Sequence, residues 1–150
     1  MIKLRSILVP TDFSEPAERA LDYAKAIAEN FKAALHVVHV AADVTLDDPM
    51  LTASSLAEIQ DSAAAALSKI DERITAEERG RVEVRTSILQ GDPHDAILAY
   101  AAEHAIELIV LGTHGRGAVE RFLLGSVAER IVRHAKCPVL TVKAEESAAD

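Results

Sequence analysis

Two stretches of this chain carry residue types and spacings that could do chemistry. The first is Pro10-Thr11-Asp12-Phe13-Ser14, a carboxylate between two hydroxyls directly after an apolar run. A carboxylate there suits sugar hydroxyls or an aromatic amine, because it accepts hydrogen bonds from either. The second is Gly112-Thr113-His114-Gly115-Arg116-Gly117, with nine residues between Gly115 and a following Gly125-Ser126. Glycine permits positive φ and close approach of backbone to a ligand, and successive N–H groups in such a turn form a concavity that takes anions. Ser126-Val127-Ala128-Glu129 has the capping-box pattern, so a helix is expected to open at Gly125-Ser126 with Ser126 as a cap. Its free amides and dipole favour phosphate oxygens.

Two other phosphate loops fail on register. A Walker A loop needs Lys and then Ser or Thr after its last glycine, whereas Ala118-Val119 follow Gly117; the dinucleotide fingerprint needs a third glycine where Glu120 stands. Asp12 also has a plainer reading as a helix cap, and Arg116 and His114 as solvated loop residues. His36 and His39 are three apart on an expected strand and point to opposite faces, so no shared metal is expected and no metal-ligating set is assigned. Cys137 reads as a small apolar core residue.

These residues must be positioned by the elements around them. Ser6–Pro10 is β-branched and short, and reads as a first strand. Ser14 caps an expected helix over Glu15–Phe31, with Pro16 in its first turn. Ala34–Val40 is a second strand, and 41–53 reads as a loop. Ser55-Leu-Ala-Glu58 has the capping-box pattern and predicts one long helix to about Gly80. Arg81–Leu89 alternates apolar and polar residues as a half-wet third strand. Gly91-Asp92-Pro93 opens a helix over Pro93–His104, Leu108–Leu111 is a fourth strand, and a short helix ends near His134. Pro138–Val142 is the fifth strand.

Strands alternating with helices of this length predict a parallel sheet in one doubly wound α/β domain. The first and fourth strands are apolar on both faces and belong in the middle. The half-polar third suits an edge, and the fifth begins on a proline, which an edge tolerates. The order 3-2-1-4-5 satisfies these constraints. In it the chain leaves strands one and four in opposite directions, and ligands of open parallel sheets bind at such a switch point. The two chemically distinctive stretches lie there.

Of 150 residues, 49% are apolar and 27% charged, which excludes a chain disordered throughout. The net charge of −8 argues against a nucleic-acid surface. Residues 114–143 run against that balance, with six Lys and Arg against two Glu, a local +4. The single cysteine is compatible with a reducing compartment. No apolar run reaches the length of a secretory signal or a membrane span, so a cytoplasmic protein without membrane contact is expected. The domain is expected over residues 1–143, with 144–150 as a short acidic tail.

The sequence resembles the universal stress protein family across nearly its whole length, from Ile7-Leu-Val-Pro-Thr-Asp12 through Gly91-Asp-Pro93 to Cys137-Pro-Val-Leu140. Its most specific part is G-x2-G-x9-G-[ST], matched by Gly112, Gly115, Gly125 and Ser126 without gap or substitution. In that family the pattern marks the members that bind ATP. The resemblance implies a Rossmann-like fold of the adenine nucleotide alpha hydrolase-like type, a role in stress response, and homodimers paired through the last strand, Pro138–Val142. It further implies that Gly112, Gly115, Arg116, Gly125 and Ser126, with Leu111 and Val127 beside them, surround ribose and phosphates. Pro10, Thr11 and Asp12 would lie on the adenosine side and Val40 near the base, with Mg²⁺ or Mn²⁺ held through the phosphates. The alternative is a slow ATP hydrolase or a phosphate- or adenylate-transferring enzyme on the same fold. Such chemistry needs a positioned base and charge stabilisation at the reacting phosphate, and the sequence places no lysine at the loop.

Overall fold

In the computed structural model, which describes residues 1–41, 49–114 and 124–144, strand β1 is Ser6–Pro10, followed by helix α1 over Glu15–Phe31 and strand β2 over Ala34–Ala41. Helices α2 (Ala53–Glu72) and α3 (Ala76–Arg81) lead to β3 (Val84–Gln90) and α4 (Pro93–Glu103). Strand β4 (Leu108–Gly112), α5 (Ser126–His134) and β5 (Val139–Val142) complete the order. The five strands are all parallel and lie in the order β3-β2-β1-β4-β5, as the hydropathy pattern requires.

Alternation along the central strands builds two cores. Ile7 and Val9 face α1 and Ile70 of α2, together with Leu35, Val37 and Val110. Leu8 faces the opposite way and meets Val38, Ile109, Ile97 of α4 and Ile131 of α5. A strand sends successive side chains to opposite faces, so both faces of β1 must be apolar, and the strand is buried along Ser6–Val9. Helix α1 presents Ala17, Ala20, Ala24 and Ala28 to the sheet, all buried. These small side chains let the helix backbone lie close over β1 and β4.

The sequence misplaces three boundaries. The long helix expected from Ser55 to Gly80 is two helices. Thr52, not Ser55, caps α2, its hydroxyl accepting the Ser55 N–H at 3.1 Å. After Glu72 the chain turns inward to bury Ile74, and Thr75 restarts the helix with a capping box: its hydroxyl accepts the Glu78 N–H at 3.1 Å while the Glu78 carboxylate accepts the Thr75 N–H at 3.2 Å. A capping-box pattern stands in the sequence near both ends of the segment, Ser55-Leu-Ala-Glu58 and Thr75-Ala-Glu-Glu78. Strand β3 accordingly begins at Val84, because Arg81 still belongs to α3 and Val82 is its C-cap. Strand β5 begins at Val139; Pro138 lends only its carbonyl, to the Ile109 N–H at 3.0 Å. Most of the loop expected over 41–53, namely 42–48, and residues 145–150 of the tail lie outside the described residues.

Gly112 closes β4 directly against the start of α1. A Cβ there would stand 2.8 Å from Pro16 Cβ and 2.9 Å from the Pro16 carbonyl carbon. Both are closer than real side chains come, and the second is backbone. Gly112→Ala is therefore expected to lower unfolding free energy by about 1–3 kcal/mol, the usual cost of overpacking, read as a lower denaturant midpoint with unchanged slope. An unchanged midpoint would contradict this packing.

On the α4 side His36 is 3% exposed, with its Nδ1 2.7 Å from the Tyr100 hydroxyl. His104 stacks on Tyr100 at 3.8 Å between centroids. Burial first, then the positive charges of Arg85 and His104, hold His36 below its ordinary value of 6.5, with Glu83 opposing weakly. The folded state thus prefers neutral imidazole. Above pH 6.5 this costs nothing; as pH falls below 6.5 the unfolded chain takes the proton first and stability drops until the folded His36 also titrates. Chemical denaturation between neutral and mildly acid pH should show that loss, and His36→Gln should flatten it.

Candidate functional site

The turn after β1 is built by short side chains that bond their own backbone. Thr11 Oγ1 accepts the Phe13 N–H at 3.0 Å, and Asp12 Oδ1 accepts the Ser14 N–H at 3.0 Å together with the Ser14 hydroxyl. Ser14 in turn accepts the Ala17 N–H at 3.4 Å, so Ser14 caps α1 and Asp12 does not.

The loop after β4 starts and ends in fixed places. The Thr113 N–H donates to the Val142 carbonyl at 2.9 Å, and its carbonyl accepts the Gly125 N–H at 2.6 Å. The second bond brings the entrance of α5 back to the end of β4. The expected cap assignment is corrected here. Gly125 is the N-cap, at φ −61° and ψ 162°, and Ser126 is the first helical residue. Gly125 has no side chain with which to cap the helix, so its first-turn amides, which have no intrahelical acceptors, gain none from the N-cap residue.

Between the two segments lies a cleft of about 570 Å³, within the range of about 300–1,000 Å³ usual for small-molecule sites. Pro10, Thr11, Asp12 and Ala17 form one wall. Leu111 to His114 and Gly125 to Ala128 form another, and His39 and Val40 of β2 with Pro93 and Ile97 of α4 complete the lining. Among the residues singled out from sequence, Pro10, Thr11, Asp12, Val40, Leu111, Gly112, Gly125, Ser126 and Val127 thus come together. Gly115 and Arg116 lie outside the described residues.

The structure adds contributors that the sequence did not announce. Pro93 and Ile97 reach the cleft because α4 packs against α5, a tertiary contact with no local signature. His39 and Val40 point to opposite faces, yet both line the cleft because β2 ends there. His39 Nδ1 lies 2.8 Å from the Thr11 carbonyl, and His36 Nδ1 lies 2.7 Å from the Tyr100 hydroxyl. His114 Nδ1 lies 3.1 Å from Thr113 Oγ1, while its Nε2 is buried without a hydrogen-bond partner among the described residues.

Asp92, His94 and Asp95 gather at the start of α4 within 4.8 Å of one another. Capping and pairing account for the group. Asp92 accepts the Asp95 N–H at 3.2 Å, His94 sits against both carboxylates, and Arg130 of α5 approaches the imidazole at 3.4 Å. Among the described residues no helix is long and apolar enough to cross a membrane.

Comparison with known proteins agrees with this architecture. A universal stress protein of Methanocaldococcus jannaschii is 38% identical over 142 residues, which are 93% of this chain and 82% of the relative. The universal stress protein UspA from Lactobacillus plantarum superposes with a TM-score of 0.82 at 31% identity, covering 95% of this chain and 100% of that one. A universal stress protein described in complex with cAMP superposes with a TM-score of 0.72 at 26% identity, over 96% of this chain and 100% of the other. The sequence model of the universal stress protein family matches residues 3–143, and the chain belongs to that family.

Proposed function

We propose that the cleft between β1 and β4 binds an adenine nucleotide, ATP with Mg²⁺ or Mn²⁺ held through its phosphates, and that the protein acts as a nucleotide-dependent module of a cytoplasmic stress response. One observation carries this reading. A carboxylate-bearing turn and a helix N-terminus whose cap is a glycine face one cleft at the switch point of the sheet. Apolar Val40, Ile97 and Leu111 suit a flat purine, Asp12 suits ribose hydroxyls, and the α5 amides suit phosphate oxygens. The buried, unpartnered His114 Nε2 fits the same reading, since such an atom in a native fold calls for a partner. The relative described in complex with cAMP supports an adenine nucleotide as the ligand class. Asp12 is the one acid on the described wall and bonds Ser14, so any hydrolysis by this chain should be slow.

The decisive variant is Gly125→Val. The backbone of Gly125 is in an ordinary extended conformation, so φ and ψ put no strain on a valine there, and Gly125 lines the cleft wall. Calorimetry should show uptake of ATP with Mg²⁺ by the wild type, and a loss of about tenfold or more in the variant at nearly unchanged melting temperature. No uptake by the wild type at millimolar nucleotide, or equal affinity in Gly125→Val, would reject the reading.

The proposal includes a homodimer through the outer edge of β5. That strand ends the sheet, and Leu140 on it is 37% exposed. An open strand edge is a ready template for pairing with a second chain. Sedimentation should find a dimer, and Leu140→Asp should shift it to monomer; a monomeric wild type would exclude this pairing.

A further inference from the structure

We infer that His39 positions Asp12 on the cleft wall by holding the Thr11 carbonyl, an inference that rests on the nucleotide reading above for its ligand. Strand β1 pairs with β2 as far as Pro10 opposite Val38. Thr11 adds one more bond, its N–H donating to the Val38 carbonyl at 2.8 Å. There the chain leaves the sheet, and the Thr11 carbonyl meets an imidazole in place of a strand N–H. His39 Nδ1 lies 2.8 Å away. A carbonyl only accepts, so Nδ1 carries the proton and donates. Thr11 is 5% exposed, and a buried carbonyl needs a partner.

The same ring steadies the residue on the other side of Asp12. Phe13 has φ of 65°, a left-handed conformation that bulky side chains seldom adopt. Its ring lies 4.9 Å from the His39 ring, tilted by 34°. Arg73, the C-cap of α2, and Lys69 within that helix stand 4.9 and 5.3 Å from the Phe13 centroid. Asp12 therefore sits between two residues that one imidazole touches: Thr11 through its carbonyl and Phe13 through its ring. Rotation of the Thr11–Asp12 peptide would release the His39 bond and disturb the bonds of Phe13 N–H to Thr11 Oγ1 and of Ser14 N–H to Asp12 Oδ1. Backbone strain of this kind persists only where surrounding contacts over-determine it, and His39 supplies two of them.

The test separates the donor from the ring and positioning from direct contact. His39→Asn keeps an N–H donor near Nδ1 and removes the ring; His39→Phe keeps the ring and removes the donor. By calorimetry with ATP and Mg²⁺, His39→Phe should weaken binding about tenfold, and His39→Asn should recover most of that loss. On an Asp12→Asn background His39→Phe should add nothing, because residues acting through one group are non-additive. Equal loss in Asn and Phe, or a full loss repeated on the Asp12→Asn background, overturns the inference. A second measurement needs no nucleotide. Amide hydrogen exchange at Phe13 and Ser14 should accelerate in His39→Phe and stay near wild type in His39→Asn, and unaltered exchange in His39→Phe overturns the positioning role. Wild-type protein that takes up no nucleotide overturns the nucleotide reading, while the exchange data still decide whether His39 holds the turn.

Discussion

The structure depends on how closely α1 lies over the junction of β1 and β4. Alanines at four buried positions, and Gly112 against Pro16, set that distance. Larger side chains would lift the helix, and the turn at Thr11–Ser14 would move with its first residues. The cleft exists because two neighbouring strands send their chains apart over a helix that is held close. Its walls are therefore made at the same contact that packs the core.

That origin is how a chain of net charge −8 would offer the proposed anion site. The described wall contains no lysine or arginine. On the proposed reading the attraction would come from backbone amides at the start of α5, where the cap is a glycine and brings no side-chain oxygen of its own. The Gly125 to Thr113 bond delivers that helix start to the end of β4. Dipoles fixed by the fold need no reorganisation when a ligand arrives, and they lose less to screening than mobile surface cations do.

Much of this was legible from sequence because the informative signals are local. Strand order followed from the double apolarity of Ile7–Val9 and Leu108–Leu111 and from the proline before β5. The cleft followed from that order. The misreadings arose where two equal local signals competed. Thr52 and Ser55 both offer caps, and only the packed structure chooses; Thr75-Ala-Glu-Glu78 was hidden inside a helical run whose buried Ile74 pulls the chain inward. His39 was set aside with His36 because strand parity separates them. Parity was right, but a strand end serves both faces of a cleft that straddles the sheet. Pro93 and Ile97 had no signal at all, since a helix-to-helix contact brings them there.

The glycine motif itself divides into two physical roles. At Gly112 a side chain is forbidden by the fold, because Pro16 occupies its space. At Gly125 neither φ nor ψ demands glycine, and the residue faces the cleft. A glycine that the backbone does not need, at the N-terminus of a helix lacking a side-chain cap, is most simply accounted for by what must approach it from outside. The fold thus explains the first glycine of the pattern, and the proposed ligand at the α5 amides would account for the third.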